Sequence, residues 1–210
     1  MSMLMMAKQR SSGRRIGLLV GAGLVLIGGG LYVLSLVTAP VILPVLNVVK
    51  PIDPKELAKP SAKDDRIIIP KIGVNIAYGK GQSALDNGAE WRKPENGSPQ
   101  DGGNFIIAAH RFSLAPTPTE TYRKSPFYHI DKLAVGDNII VDYDGTRYGY
   151  RVSEILSVKP DQVEIEDRGD TDKLTLYSCT LGGSRDGRIV LIGTPLGEVS
   201  VTSDAHQTKL

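Results

Sequence analysis

Three residues of this chain combine types and settings suited to nucleophilic chemistry: Cys179, His110 and Arg188. Cys179 is the single cysteine among 210 residues, so it has no internal disulfide partner and leaves a free thiol. A thiol attacks as its thiolate, and a neighbouring cation favours that form. Leu174, Leu176 and Tyr177 read as a short strand that ends at Cys179. Ile189 to Ile192 read as a second, almost wholly apolar strand, opened by Arg188. Gly182, Gly183, Ser184, Asp186 and Gly187 between them spell a turn-forming loop. Consecutive strands usually lie side by side, which brings thiol and guanidinium to one spot. His110 closes another apolar run, Asn104–Ala109, and offers an imidazole for proton transfer. Singly, each residue has an ordinary reading: a small buried hydrophobe, a strand-end histidine, a surface cation. Together they form a set for cysteine acyl transfer, in which thiol and imidazole meet in space rather than in sequence.

The run Thr175-Leu176-Tyr177-Ser178-Cys179, followed nine residues on by Arg188, resembles the signature of the sortases, bacterial cysteine transpeptidases. The usual family pattern is Thr-Leu-x-Thr-Cys; here Ser178 keeps the hydroxyl and loses a methyl. The segment Asn104 to Arg111 is similar to the setting of the family's histidine, with Ala109 in place of the more usual glycine. Arg66 to Gly79 resembles the family's opening strands, and the resemblance covers roughly residues 65–195. It implies an eight-stranded β-barrel with short helices. It also implies Cys179 as nucleophile, His110 as general acid and Arg188 as oxyanion or peptide donor. Thr175, Leu176, Ser178 and Ala109 are the candidate substrate-binding residues. The implied substrates are proteins with a sorting signal similar to Leu-Pro-x-Thr-Gly. The implied acceptor is an amine of a peptidoglycan precursor, or a lysine of a pilin or other surface protein.

Ahead of this mainly β domain lies a segment of different character. Residues 1–15 hold Lys8, Arg10, Arg14 and Arg15 and no acid, a charge of +4. With the whole chain at +2, residues 16–210 sum to −2, so basicity is confined to the N-terminus and argues against a nucleic-acid surface. Ile16 to Val37 is 22 residues without a charge. At about 1.5 Å per residue it spans roughly 33 Å, enough for a ~30 Å hydrocarbon core. The basic flank predicts a cytoplasmic N-terminus and an extracellular domain at a single-pass cell membrane anchor. A cleaved signal peptide is the rival reading. Five prolines from Pro40 to Pro60 predict an extended linker over 38–64. Ile52-Asp53-Pro54 is similar to the lid of pilin-building sortases, but Lys55 stands where those have an aromatic, so plain linker is expected.

Within the catalytic domain, 65–200, strands are expected at Arg66–Pro70, Ile72–Tyr78, Asn104–Ala109, Asp137–Tyr143 and Arg147–Val158. Asp144-Gly145 signals a two-residue hairpin. Gln82–Gly88 reads as a helical turn, Trp91–Gly103 and Ser113–Thr121 as loops, and Ser125–Ile130 as a short helix capped by Ser125. Pro160–Lys173 reads as an acidic, polar loop, and the resemblance implies that it helps form the substrate groove. Its Glu164, Glu166, Asp167, Asp170 and Asp172 are taken as a solvated acidic stretch. Some sortases bind calcium around such a loop; here no cofactor and no metal site is expected. His129 is read as a packing residue, and His206 lies in the tail 201–210, expected to be mobile. The functional alternatives are a hydrolytic cysteine peptidase on the same fold, a pilin-polymerising sortase, and a catalytically silent anchored binding domain. The absence of a second apolar span toward the C-terminus weakens the pilin option.

Overall fold

The structure, a computed structural model, describes residues 10–46 and 49–199. Lys8, His206 and the tail 201–210 lie outside the described residues. Helix α1 (Arg10–Leu46) contains the expected span. Within it Ile16–Ser35 is 20 residues long, and none of it is buried against protein. At 1.5 Å per residue it is about 30 Å long, the thickness of a bilayer core. The helix runs through Pro40 and Pro44 to Leu46, so the linker expected from residue 38 starts later. A proline deletes one intrahelical bond, which a long apolar helix absorbs without ending.

From Val49 the chain does not hang free. Ile52 N–H donates to Pro70 O at 3.0 Å, and Arg147 Nη2 donates to Ala58 O at 2.8 Å. Asp53 caps the helical turn Pro54–Glu56 by accepting from Lys55 N–H at 2.9 Å. Residues 49–64 are thus a strap on the barrel, not an extended tether.

The barrel strands are β1 (Arg66–Ile69), β2 (Val74–Gly79), β3 (Ala89–Arg92), β5 (Gly102–Ala109), β6 (Asn138–Tyr143), β7 (Thr146–Val158), β8 (Lys173–Thr180) and β9 (Gly183–Glu198), with the two-residue β4 (Gly97–Ser98) at the side. Their order is β3-β2-β1-β6-β7-β9-β8-β5, and β5 pairs again with β3 to close the ring; β4 hangs on β5. Closure removes the free edges that an open sheet would expose. The core is filled by alternate residues of each strand: Ile67 and Ile69, Phe105 and Ile107, Ile139 and Val141, Leu174 and Leu176, and Leu191. Burial of each such side chain is worth roughly 1.5–3 kcal/mol, the main term holding the barrel. Asp144 and Gly145 take φ of 44° and 78°, the left-handed pair of a type I′ hairpin, as expected.

Four segments differ from the sequence reading. Trp91 and Arg92 extend β3 by pairing with Ile107 and Ile106, because β5 offers them an edge. Helix α3 (Pro118–Arg123) stands in the segment taken as loop. Thr117 accepts from Glu120 N–H at 3.2 Å there, half of a capping box. Ser125 does not cap a helix; its hydroxyl donates to Thr121 O at 2.6 Å and accepts from Ser113 N–H at 3.0 Å. The following residues are turns up to the helical turn Ile130–Lys132. Finally, β9 begins at Gly183, inside the expected loop.

Candidate active site

Strand register brings the three chemical residues to one end of the barrel. Cys179 and Arg188 are direct partners across β8 and β9. Residues so opposed share a face of the sheet, with Cβ atoms about 4.5–5.5 Å apart. On β8, Leu174 and Leu176 point into the core, so the alternate residues Thr175, Tyr177 and Cys179 lie on the outer face. β5 runs parallel to β8 with Ala108 opposite Tyr177, and His110 is the first residue past its end. His110 therefore leaves β5 level with Cys179 and in the same alternation. The Ser178 hydroxyl donates to Ala109 O at 2.7 Å and ties the two strands at that level.

Each residue has neighbours that fix it. Cys179 is half-buried and its thiol is free. Past it, Thr180 pairs with Gly183, leaving Ser184–Gly187 as a bulge in place of the expected loop. Arg188 Nη1 donates to Ser184 O at 2.9 Å and Gly187 O at 3.1 Å, so the guanidinium is anchored by the bulge it closes. Asp186 folds back to accept from the Thr180 hydroxyl. Arg185 is exposed. His110 has a carboxylate neighbour that the sequence reading missed: Asp86 Oδ1, on helix α2 (Gln82–Asn87), stands 3.6 Å from Nε2. Gln82 Nε2 donates to the same Oδ1 at 2.8 Å.

The residues around the motif are structural in their placement. Thr175, Leu176, Ser178 and Ala109, candidates for touching substrate, are all buried. Thr175 donates to Asn104 Oδ1 at 2.6 Å, Leu176 is core, and Ser178 is used by Ala109. They hold the site from beneath. The acidic loop is not wholly solvated: Glu166 is only 7% exposed, and Asp172 Oδ1 accepts from Gly103 N–H at 2.7 Å. Among the described residues no group of three His, Cys, Asp or Glu side chains is placed to hold a metal ion. His129 is buried, and burial holds its imidazole below the usual histidine value. Asp53-Pro54, the lid-like pair, rests by β6 and β7 rather than over Cys179.

Comparison with known proteins follows the same residues. A family model described as "Sortase domain" matches residues 67–196, which include Cys179, His110 and Arg188. A curated relative, Sortase SrtE1 of Streptomyces coelicolor, is 28% identical over 147 residues, covering 62% of this chain and 39% of its own. The chain thus spans well under half the length of that relative. Among solved structures, a Clostridium perfringens Sortase D5 transpeptidase matches with TM-score 0.52 and 28% identity, over 64% of this chain and 79% of that one. Sortase C1 from Streptococcus agalactiae matches with TM-score 0.52 and 27% identity, over 62% and 66%. The closed barrel, the strand-end thiol, imidazole and guanidinium, and the match over 67–196 agree in placing this chain in the sortase family.

Proposed function

We propose that this chain is a membrane-anchored cysteine transpeptidase, and that it joins exported proteins bearing a signal similar to Leu-Pro-x-Thr-Gly to an amine of the cell envelope or of another surface protein. The observation that carries the reading is the direct pairing of Cys179 with Arg188 beside the strand end that delivers His110. In the reaction, Cys179 passes its thiol proton to His110, Sγ bonds to the scissile carbonyl carbon and the C–N bond breaks. The leaving amine takes its proton from His110, and a thioester remains. An incoming amine then attacks that thioester, giving up a proton to His110 and restoring the thiol. Arg188, its backbone in the strand and its Nη1 on two carbonyls, offers a fixed donor to the oxyanion.

The anchor belongs to the same reading. The 20-residue apolar stretch of α1, with Arg10, Arg14 and Arg15 before it, suits a single span with the barrel outside. Holding the enzyme beside membrane-held substrates raises their effective concentration. The chemistry is complete in thiol, imidazole and guanidinium, so the reading assigns no cofactor. The test uses the full chain in detergent, a sorting-peptide library, several amines and mass spectrometry, with and without chelator. A ligated peptide–amine product that Cys179→Ala abolishes is expected. Free acid alone, in the presence of amine, would make the protein a peptidase; no cleavage of any peptide would remove the enzymatic reading.

A further inference from the structure

The outer face of β3, β5, β8 and β9 is laid out in rows. The catalytic row holds His110, Cys179 and Arg188. One row below it, Glu90, Ala108, Tyr177 and Val190 are aligned, and below that Arg92, Ile106, Thr175 and Ile192. Successive rows are two residues apart along the strands, about 7 Å. The loop between β7 and β8 crosses the two lower rows, and Glu166 is where it is fastened.

The fastening is built from both the backbone and the side chain of the loop. Asn104 Nδ2 donates to Ile165 O at 3.0 Å and Asp167 O at 2.7 Å. Thr175 donates to Asn104 Oδ1 at 2.6 Å, which fixes that amide's orientation. Asn96 Nδ2 donates to Glu166 O at 2.6 Å. The Glu166 carboxylate then reaches into the sheet face. Its Oε1 accepts from Tyr177 OH at 2.5 Å and Arg92 Nε at 2.6 Å, and Lys93 Nζ lies 3.5 Å from Oε2. Arg92 is steadied in turn by Glu90 at 3.1 Å. Burial alone would raise the Glu166 carboxyl, but the bonds from Tyr177 and Arg92 outweigh it and hold it below its ordinary value. One carboxylate thus joins β3, β8 and the loop across the small side chain of Ala108. A buried ionised group with this many donors fixes one geometry, because leaving any of them unpaired is costly.

We propose that Glu166 is a positioning residue for the transferase reaction: it clamps Val163–Arg168 on the outer face one row, about 7 Å, from Cys179, where the loop flanks a peptide seated for attack. The proposal rests on the transpeptidase reading for its substrate, but the clamp itself has an independent readout. Glu166 touches none of the reacting atoms, so its loss acts on peptide seating, not on the thiol.

The experiment compares wild type, Glu166→Gln, Glu166→Ala and Tyr177→Phe as full chains in detergent. Three measurements are made: kcat and KM on a cleaved sorting peptide, the rate of Cys179 alkylation, and hydrogen exchange of the 163–168 amides against those of β6. Glu166→Ala is expected to raise KM by about 10-fold with kcat within about 3-fold, and Glu166→Gln, which keeps an acceptor, to recover part of that. Tyr177→Phe should lie between wild type and Glu166→Ala. Alkylation should stay unchanged, and exchange should quicken at 163–168 while β6 remains protected. A KM within 2-fold of wild type, or unchanged exchange at 163–168, would overturn the proposal. So would a fall confined to kcat, or exchange that quickens equally in β6, which marks general loosening. If wild type cleaves no peptide, the transpeptidase reading fails, and exchange alone decides whether the clamp exists.

Discussion

Arg188→Ala should cost the enzyme about 100-fold in kcat while leaving the barrel folded. The magnitude follows from how the side chain is held. Its backbone pairs with Cys179, and Nη1 is committed to Ser184 O at 2.9 Å and Gly187 O at 3.1 Å, so the guanidinium is oriented before substrate arrives. Losing one preorganised oxyanion donor costs about 10²–10³ in kcat, or about 2.7–4 kcal/mol. The stability cost is smaller. Of the two carbonyls released by the substitution, that of exposed Ser184 finds water and that of buried Gly187 loses a partner, so about 1 kcal/mol is lost. For a domain of about 130 residues that lowers Tm by about 4 °C. Arg188→Lys should recover little, because an ammonium cannot hold the bulge carbonyls and the oxyanion in one planar fork. Arg185→Ala should stay within about 3-fold, since Arg185 is exposed on the bulge. Steady-state peptide–amine ligation on the three variants, with circular dichroism melts, measures all of this. If Arg185→Ala is the crippling change, or Arg188→Ala is within 3-fold of wild type, register-fixed orientation is not what selects the catalytic cation.

Three further outcomes are expected. Ser178→Ala removes the tie to Ala109 O and should cost about 1–2 kcal/mol of stability and lower kcat, whereas Ser178→Thr, which keeps the hydroxyl, should do neither; urea melts and ligation kinetics check it. Asp142→Ala strands the buried Arg147, which Asp142 now meets at 2.6 Å, and should destabilise by about 3–5 kcal/mol without altering kinetics at low temperature, because the pair lies on the wall away from Cys179. Glu166, held below its ordinary value in the fold, contributes stability that is whole above about pH 4.3 and drains away as pH falls further, so the Tm difference between wild type and Glu166→Gln should shrink below about pH 4.

What could be read from the sequence was what local pattern encodes. The apolar runs 104–109 and 189–192 announced strands, and the chemical residues stood at their ends, so the placement of the candidate site was legible once the strands were assumed adjacent. The type I′ hairpin at Asp144-Gly145 was legible because its left-handed backbone leaves few residue choices. The α3 start was also written in the chain, as Thr117-Pro118-Thr119-Glu120, but two nearby prolines masked the capping signal. Contacts set by closure of the ring could not be read. Glu166 looks like any residue of an acidic loop until β3 is folded beside β5 and Arg92, 74 residues away, meets it. Asp86 likewise faces His110 only because β2 and β3 flank α2.

The strap decides which parts of the chain can govern access to Cys179. Residues 52–58 are bound to the β1–β6–β7 side of the ring, through Ile52 N–H to Pro70 O and Ala58 O to Arg147. Arg147 is itself buried against Asp142, so releasing the strap would leave an Nη2 hydrogen of a buried guanidinium without its acceptor. That penalty, on the scale of 1–3 kcal/mol for a single group and more for a charged one, opposes any swing of Asp53-Pro54 toward the catalytic row. Pro54 lies by Arg147 to Arg151, whereas Val158 at the far end of β7 pairs with Arg188, so such a swing must also run the seven residues from 151 to 158, about 23 Å. The β7–β8 loop, by contrast, meets the outer face one row from Cys179, through Glu166 on Tyr177. The strap's own consequence is local: residues 52–58 are held on the β1–β6–β7 wall, away from the end of the barrel where Cys179 and Arg188 pair.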